Sequence, residues 1–195
     1  MKLEFQITDI AKQPPCFDAV VNSANSNLRL GSGVSGAIYT AAGPKLEAYC
    51  QPLAPLPLGK AIITPGFNLP HPWIIHVRSS HYLTDDNPEA VMAEALRSMF
   101  RVAGEHNIKS LAMPVIGTGI FKFPFGVAAD LIIKAIQNDA LELAPSLQRI
   151  RVCLPSIKMA FIFAKARQLN DPSDQRPKTV TAAVQNLLET LPENS

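Results

Sequence analysis

Short apolar runs recur along the chain at a spacing typical of alternating strands and helices. Residues 2–7 alternate between polar and apolar positions, which predicts a strand whose Leu3, Phe5 and Ile7 face the core on one side only. Three later runs, at 17–21, 60–64 and 73–77, are predicted to be strands buried on both faces, as strands of a parallel sheet are. Two more strands are predicted at 110–115 and 149–154.

Helical periodicity and capping signals separate these runs. A short helix is predicted over 33–42 because Gly43 and Pro44 follow it as a stop signal. Asn87 followed by proline is a typical start for a longer helix that runs to about residue 106. Two more helices are predicted, at about 125–138 and 156–167. Strands that alternate with helices predict an α/β fold, with a mixed, mostly parallel sheet and helices on both faces.

Polar and glycine-rich segments follow three of the predicted strands. Asp9 and Ile10 come after the first strand, residues 22–36 after the second, and residues 117–121 after the strand at 110–115. In open α/β sheets, ligands bind beyond the carboxyl ends of the strands. We therefore expect these three segments to meet in one ligand site.

The segment after the second strand has the composition of a phosphate-binding turn. Glycines at 31, 33 and 36 let the backbone approach a ligand, and the predicted helix behind them favours an anion at its N-terminus. Their spacing also fits the G-x-G-x-x-G pattern of dinucleotide-binding Rossmann domains. We reject that assignment because nine residues separate the glycines from the strand, and Glu47, near the expected acidic position, lies in no strand. A flexible glycine loop without a ligand is the alternative.

Composition narrows the class of protein. With 195 residues, of which 47% are hydrophobic, the chain can bury one sizeable core and still carry a tail. The net charge is +2 and the basic residues are scattered, so we expect no nucleic-acid partner, and no apolar run is long enough to predict a membrane span.

Cys16, Cys50 and Cys153 are widely spaced, which argues against a disulfide framework or a zinc site. With no signal-peptide pattern at its start, the chain is predicted to be cytoplasmic or otherwise intracellular.

The asparagines before the glycine loop make a more specific pattern. In order, the chain reads Val21-Asn22-Ser23-Ala24-Asn25, Leu30-Gly31, Gly33-Val34, Gly36-Ala37-Ile38 and Ala41-Ala42-Gly43. This series resembles the signature of the macrodomain family. Residues 75–77 resemble the family's central strand, 114–124 its second ligand loop, and Asp9-Ile10 its early acidic residue with an aliphatic neighbour. The similarity covers about residues 2–168. It implies a three-layer α/β/α sandwich over 1–169, and leaves 170–195 as a linker with a short amphipathic helix or tail.

The resemblance implies a cleft that binds ADP-ribose, either free or attached to a protein, with no cofactor and no metal. Asp9 would accept a hydrogen bond from the adenine amino group, the Ile10 N–H would contact a ring nitrogen, and Asn25 would bind the distal ribose. The Phe121 ring would also lie against that ribose. Backbone N–H groups would hold the diphosphate from two sides, by Gly33, Val34, Ser35 and Gly36 and by Gly117, Thr118, Gly119, Ile120 and Phe121. The adenine would stack on Pro155, Ser156 or Ile157.

Several of these residues also have a purely structural interpretation. Asp9 and Asn25 are common turn residues, and Phe121 could be packed in the core. Three histidines recur at intervals of five residues, at His71, His76 and His81. That spacing alternates faces on a strand and matches no helical pair of metal ligands. We therefore expect His76, inside an apolar strand, to be a core histidine.

Residue 35 bears on whether the protein also hydrolyses its ligand. Active relatives of the MacroD-like branch carry aspartate there, whereas this chain has Ser35, which has no charge with which to activate water. Viral relatives hydrolyse without that aspartate, and orientation of the substrate alone can lower a barrier substantially. The resemblance thus leaves two main functions open, with a degenerate scaffold that binds another nucleotide as a more distant third. One is an ADP-ribose-binding module; the other is a hydrolase of mono-ADP-ribosylated protein or O-acetyl-ADP-ribose, with Asn25 as the catalytic residue.

Two further positions depart from the family pattern. Relatives usually carry glycine where this chain has Thr8, and a short Gly-Pro turn where it has Arg78-Ser79-Ser80. The first departure lies beside Asp9 and is expected to affect the backbone at the adenine end. The sequence gives no interpretation of the second.

Overall fold

The computed structural model describes residues 1–170 and contains a mixed sheet at its centre. The strands are β1 Lys2–Ile7, β2 Ala19–Ser23, β3 Ala61–Pro65, β4 Trp73–Val77, β5 Ser110–Pro114 and β6 Arg149–Leu154. They lie in the order β1-β6-β5-β2-β4-β3, and every neighbouring pair is parallel except β3 with β4. The prediction of a mixed, mostly parallel sheet is confirmed.

Helices cover both faces of this sheet. Within the described residues they are α1 Gly33–Ala42, α2 Pro44–Cys50, α3 Pro88–Glu105, α4 Phe125–Asn138, α5 Ala140–Leu143 and α6 Ile157–Asn170, with 3₁₀ turns at Ile10–Lys12 and Gln51–Leu53. None of these helices is long and apolar enough to cross a membrane.

Each face of the sheet has its own apolar core, because successive strand residues point to opposite sides. On one face, residues such as Val20 and Ile74 pack against α1 and α2. On the other, residues such as Val21 and Ile75 pack against α3, α4 and α6. The expected three-layer α/β/α sandwich is therefore confirmed.

One helix was not predicted, and one local prediction is wrong. Gly43-Pro44 ends α1 as expected, but the proline also occupies the first turn of α2, where its missing N–H costs nothing. Ile7 is 52% exposed rather than buried, because it ends an edge strand at the mouth of the ligand cleft. The predicted linker and the helix at 180–191 lie outside the described residues.

Candidate functional site

A cleft of about 760 Å³ opens at the carboxyl ends of β1, β2, β5 and β6. Its volume is within the range of small-molecule sites. The three segments that follow strands in the sequence all contribute to its walls. Every predicted ligand-binding residue lines it except Gly36.

The first segment forms the end of the cleft nearest the sheet edge. Asp9 caps the 3₁₀ turn Ile10–Lys12, and its Oδ1 accepts the Ala11 N–H at 2.9 Å. Gln13 donates a side-chain hydrogen bond to the Asp9 carbonyl at 2.6 Å, which holds the turn from behind. Asp9 is therefore a turn residue, and it also lines the cleft with its carboxylate largely exposed.

The residues after β6 complete this end. Of the three residues considered for stacking, Pro155 lines the cleft. Ser156 is buried and its Oγ accepts the Met159 N–H at 3.4 Å, while Ile157 is half-exposed outside the cleft. Cys153 lies in the cleft wall, and burial raises the pKa of its thiol to about 12, so it is neutral at physiological pH.

Asn25 holds the loop that follows β2. Its Nδ2 donates to the Arg29 carbonyl at 2.8 Å and its Oδ1 accepts the Arg29 N–H at 3.2 Å. The amide has further hydrogen-bonding capacity, since Nδ2 carries a second hydrogen and Oδ1 a second lone pair. Asn25 thus shapes the loop and, as a cleft-lining residue, retains groups for a ligand.

The glycine loop leads directly into α1. Gly33 has φ +58°, and a Cβ built there would meet nothing within 4 Å. The first N–H groups of a helix have no intrahelical acceptor, and Ser32 at the N-cap makes no side-chain capping bond. The first turn of α1 therefore offers backbone donors to the cleft.

Gly36 and Ser35 differ from the expected ligand contacts. A Cβ at Gly36 would lie 2.6 Å from the Gly31 carbonyl oxygen, so glycine is needed for α1 to pack beneath the loop. Ser35 does line the cleft, but it is buried, with its Oγ at 3.5 Å from the Arg29 carbonyl oxygen. Its hydroxyl faces the loop backbone at the outer limit of hydrogen bonding.

The second glycine loop follows β5 and forms the opposite wall. Gly117 has φ +84°, a conformation that other residues rarely adopt, and a Cβ there would lie 2.8 Å from the Phe123 ring, so glycine is favoured at this position. Gly119 has open space in front of it. Phe121 is half-buried and lines the cleft, whereas Phe123 fills the core position beside it.

Among the described residues that line the cleft, one has a charged side chain, Asp9. Asp9 follows β1 and Asn25 follows β2, and strands β6 and β5 lie between them. Three strand spacings separate the two ends by roughly 14 Å. The Asn25 end is therefore built from neutral side chains and backbone groups.

His76 lies outside the cleft, as expected of a core histidine. It is fully buried, with Nδ1 at 3.1 Å from Asn22 Nδ2 and Nε2 at 3.0 Å from Thr64 Oγ1. The Thr64 hydroxyl donates to the Pro65 carbonyl, so it accepts from Nε2–H and leaves Nδ1 as the acceptor for Asn22. In residues 1–170, no group of three or more His, Cys, Asp or Glu side chains is arranged to hold a metal ion.

Sequence reasoning missed several cleft residues. They are Ile7, Ala37, Phe125, Cys153 and Leu154. Three of them are at or next to the carboxyl end of a strand, so the rule that predicted the site would also have found them. Ala37 and Phe125 sit in the first turns of α1 and α4, for which the sequence gave no separate signal.

Comparison with known proteins places this geometry in one family. A family model described as the Macro domain matches residues 21–132. A macro domain-containing protein of Lactiplantibacillus plantarum is 40% identical over 136 residues, which is 69% of this chain and 79% of that protein. A mutant of the Oceanobacillus iheyensis macrodomain, solved with ADPR, has 31% identity and a TM-score of 0.79, covering 86% of this chain and 92% of that one.

The fold and the cleft between glycine loops are those of an α/β/α ligand-binding domain. The chain belongs to the macro domain family. A relative with a named activity is the ADP-ribose glycohydrolase MACROD1 of Bos taurus, 36% identical over 141 residues, or 70% of this chain and 43% of that protein.

Proposed function

We propose that this protein binds ADP-ribose in the cleft and recognises it either free or attached to a protein. The observation that carries the proposal is the pair of glycine loops that face each other across a cleft of about 760 Å³. A diphosphate can be held there by backbone N–H groups and needs no buried cation. The Oceanobacillus iheyensis macrodomain solved with ADPR supports the same ligand.

The proposed orientation follows from the charge of the two ends. The adenine amino group is a donor, so it lies at the Asp9 end, where Pro155 offers a flat apolar surface. The diphosphate lies between the first turn of α1 and residues 117–121. The distal ribose then reaches Asn25 and the Phe121 ring.

Calorimetric titration with ADP-ribose tests this proposal. Asp9→Ala removes the acceptor for adenine, and Gly33→Glu places a carboxylate in the open space beside the diphosphate. Both variants should weaken binding strongly, while Asp86→Ala, an exposed aspartate outside the cleft, should leave it unchanged. Absence of heat and of a thermal shift with the wild type would refute the proposal.

Hydrolysis of the bound group is the second candidate function, favoured by the similarity to an ADP-ribose glycohydrolase. It would require Asn25 and the loops to orient water, because Ser35 is neutral and Asp9, the carboxylate among the described lining residues, lies roughly 14 Å away across the sheet. We therefore propose binding without rapid turnover as the main function. Asn25 is the catalytic candidate if turnover occurs.

A single-turnover assay separates these two functions. A protein mono-ADP-ribosylated on glutamate is incubated with excess wild type, Asn25→Ala or Ser35→Asp. Binding without turnover predicts the same residual label with wild type and Asn25→Ala. Rapid loss of label with the wild type alone would establish the hydrolase instead.

We further propose that residues 1–169 are the binding unit and that the protein works inside the cell. Among the described residues, the cleft is lined by positions from 7 to 155, and α6 packs on the core after them, which supports a boundary at the end of that helix. The three cysteines are all free, which suits a reducing compartment. The scattered basic residues make nucleic acid an unexpected partner.

A further inference from the structure

The loop between β2 and α1 contains a leucine in an unfavourable backbone conformation. Leu28 has φ +51°, in the left-handed region that a branched side chain rarely adopts. Such a conformation persists only where the surroundings fix it, and it often marks a functional segment. Here Asn25 and Gly31, on either side of Leu28, both line the cleft.

Contacts on several sides hold Leu28 in place. Its side chain is buried in the core beneath α1, and its N–H donates to the Asn25 carbonyl at 3.2 Å. Its carbonyl accepts the hydroxyl of Tyr39, a buried residue of α1 whose pKa is raised by burial, so that the hydroxyl keeps its proton. Tyr39 thereby joins the loop to the helix whose first turn faces the cleft.

A second support reaches the loop from Arg78, at the position where the sequence departs from the family pattern. The Arg78 guanidinium donates from Nη1 to the Leu56 carbonyl at 2.6 Å. The Leu56 N–H in turn donates to the Ser26 carbonyl at 2.9 Å, and the Leu56 side chain is buried in the same core as Leu28. Arg78 is thus connected to the loop of residues 25–31 through Leu56.

We propose that Tyr39 and Arg78 are positioning residues that fix the loop of residues 25–31 for recognition of the distal ribose. Neither residue lines the cleft. Each acts through a backbone carbonyl, Tyr39 at Leu28 and Arg78 at Leu56. The inference rests on the proposed function, because it assigns the Asn25 end of the cleft to the distal half of ADP-ribose.

Comparing ADP-ribose with AMP distinguishes a local change in the loop from a general loss of stability. AMP contains the adenine, the first ribose and one phosphate, and it lacks the distal ribose. A disturbed 25–31 loop should therefore weaken ADP-ribose and spare AMP. A globally loosened domain should weaken both ligands alike.

The experiment compares affinities for ADP-ribose and AMP in the full chain. Tyr39→Phe removes one hydroxyl and keeps the ring, and Arg78→Met removes the guanidinium and keeps the apolar stem. Tyr49→Phe and Arg97→Met are matched controls, since Tyr49 is exposed on α2 and Arg97 pairs with Asp139. We expect Tyr39→Phe and Arg78→Met each to weaken ADP-ribose about tenfold, with AMP and both controls unchanged.

Hydrogen exchange gives a measurement that needs no ligand. Exchange of the Leu28 and Arg29 amides should become faster in Tyr39→Phe and Arg78→Met than in the wild type, and by a larger factor than exchange of the amides of β2. Equal weakening of both ligands, or unchanged ADP-ribose affinity with unchanged exchange, would overturn the positioning role. If the wild type bound neither ligand, the proposed function would be overturned instead. The exchange rates would still show whether Tyr39 and Arg78 hold the loop of residues 25–31.

Discussion

Lowering the pH should decrease the free energy of unfolding of this protein through His76, at higher pH than it does through Glu4. Burial lowers the pKa of His76 from its ordinary 6.5 to about 3 in the folded state. Between these two values the unfolded chain binds a proton that the folded chain does not. The free energy of unfolding must therefore fall as the pH drops below about 6.5.

The size of the effect follows from the width of that interval. At pH 4.5 the solution is two units below the unfolded pKa, and each unit corresponds to about 1.4 kcal/mol, so the loss from His76 is about 2.7 kcal/mol, of which about 2.5 kcal/mol falls between pH 7 and pH 4.5. This is a large part of a typical stability of 5–15 kcal/mol. Burial also lowers the pKa of His71, which adds a loss of the same sign.

Carboxylates contribute mainly at lower pH. The largest of the interactions that depress the pKa of Glu4, to about 2 from 4.5, is its hydrogen bond with Arg149. Stability from Glu4 is therefore lost between about pH 4.5 and pH 2. A pH series that stops at about 4.5 measures the histidines with little interference from Glu4.

Urea unfolding at constant ionic strength measures this dependence. Wild type, His76→Gln and His106→Gln are compared from about pH 7 to pH 4.5; His106 is an exposed histidine at the end of α3. The quantity compared is the change in unfolding free energy with pH, because His76→Gln also alters the baseline through its lost hydrogen bonds. His76→Gln should lose about 2.5 kcal/mol less than wild type over this range, and His106→Gln should match wild type within error. Equal slopes for wild type and His76→Gln would refute the reasoning.

Three further predictions concern the glycines and the chain end. Gly33→Ala should cost about 1 kcal/mol of stability because its φ is +58°, and it should also weaken ADP-ribose; Gly119→Ala, with open space and no such φ, should leave the melting temperature unchanged. Gly36→Ala should lower the melting temperature further than Gly33→Ala in a thermal scan, because its Cβ would lie 2.6 Å from the Gly31 carbonyl oxygen. Deleting residues 171–195 should leave ADP-ribose affinity unchanged by calorimetry, and a loss would move the domain boundary toward the C-terminus.

The fold could be predicted largely from apolar patterning. Five strand or helix spans coincide with the structure, among them the strand at Trp73–Val77 and the helix at Phe125–Asn138. These spans are bounded by residues that end an element on physical grounds, such as proline, glycine or a change of periodicity. The helix at Pro44–Cys50 was missed because one proline can follow one helix and also begin the next.

The segments that form the site could be predicted because they follow the ends of strands. The part that each residue plays there was much less predictable. Gly36 carries the same signal in the sequence as Gly33, because both are glycines of one loop. Only the structure shows that Gly33 faces open space while Gly36 meets the Gly31 carbonyl. The supporting role of Arg78 was likewise invisible, since its contact with Leu56 spans 22 residues of sequence.

Some residues that line the cleft also make the hydrogen bonds that shape its turns. Asp9 and Asn25 were open to interpretation either as turn residues or as ligand contacts, and each makes a turn hydrogen bond while lining the cleft. A diphosphate held by N–H groups depends on the direction of those groups, which the turns determine. Substitutions that alter backbone conformation should therefore impair binding more than substitutions of lining side chains. By the same argument, the neutral side chain of Ser35 does not determine the direction of the backbone N–H groups, so we expect ADP-ribose binding not to depend on a charge at position 35.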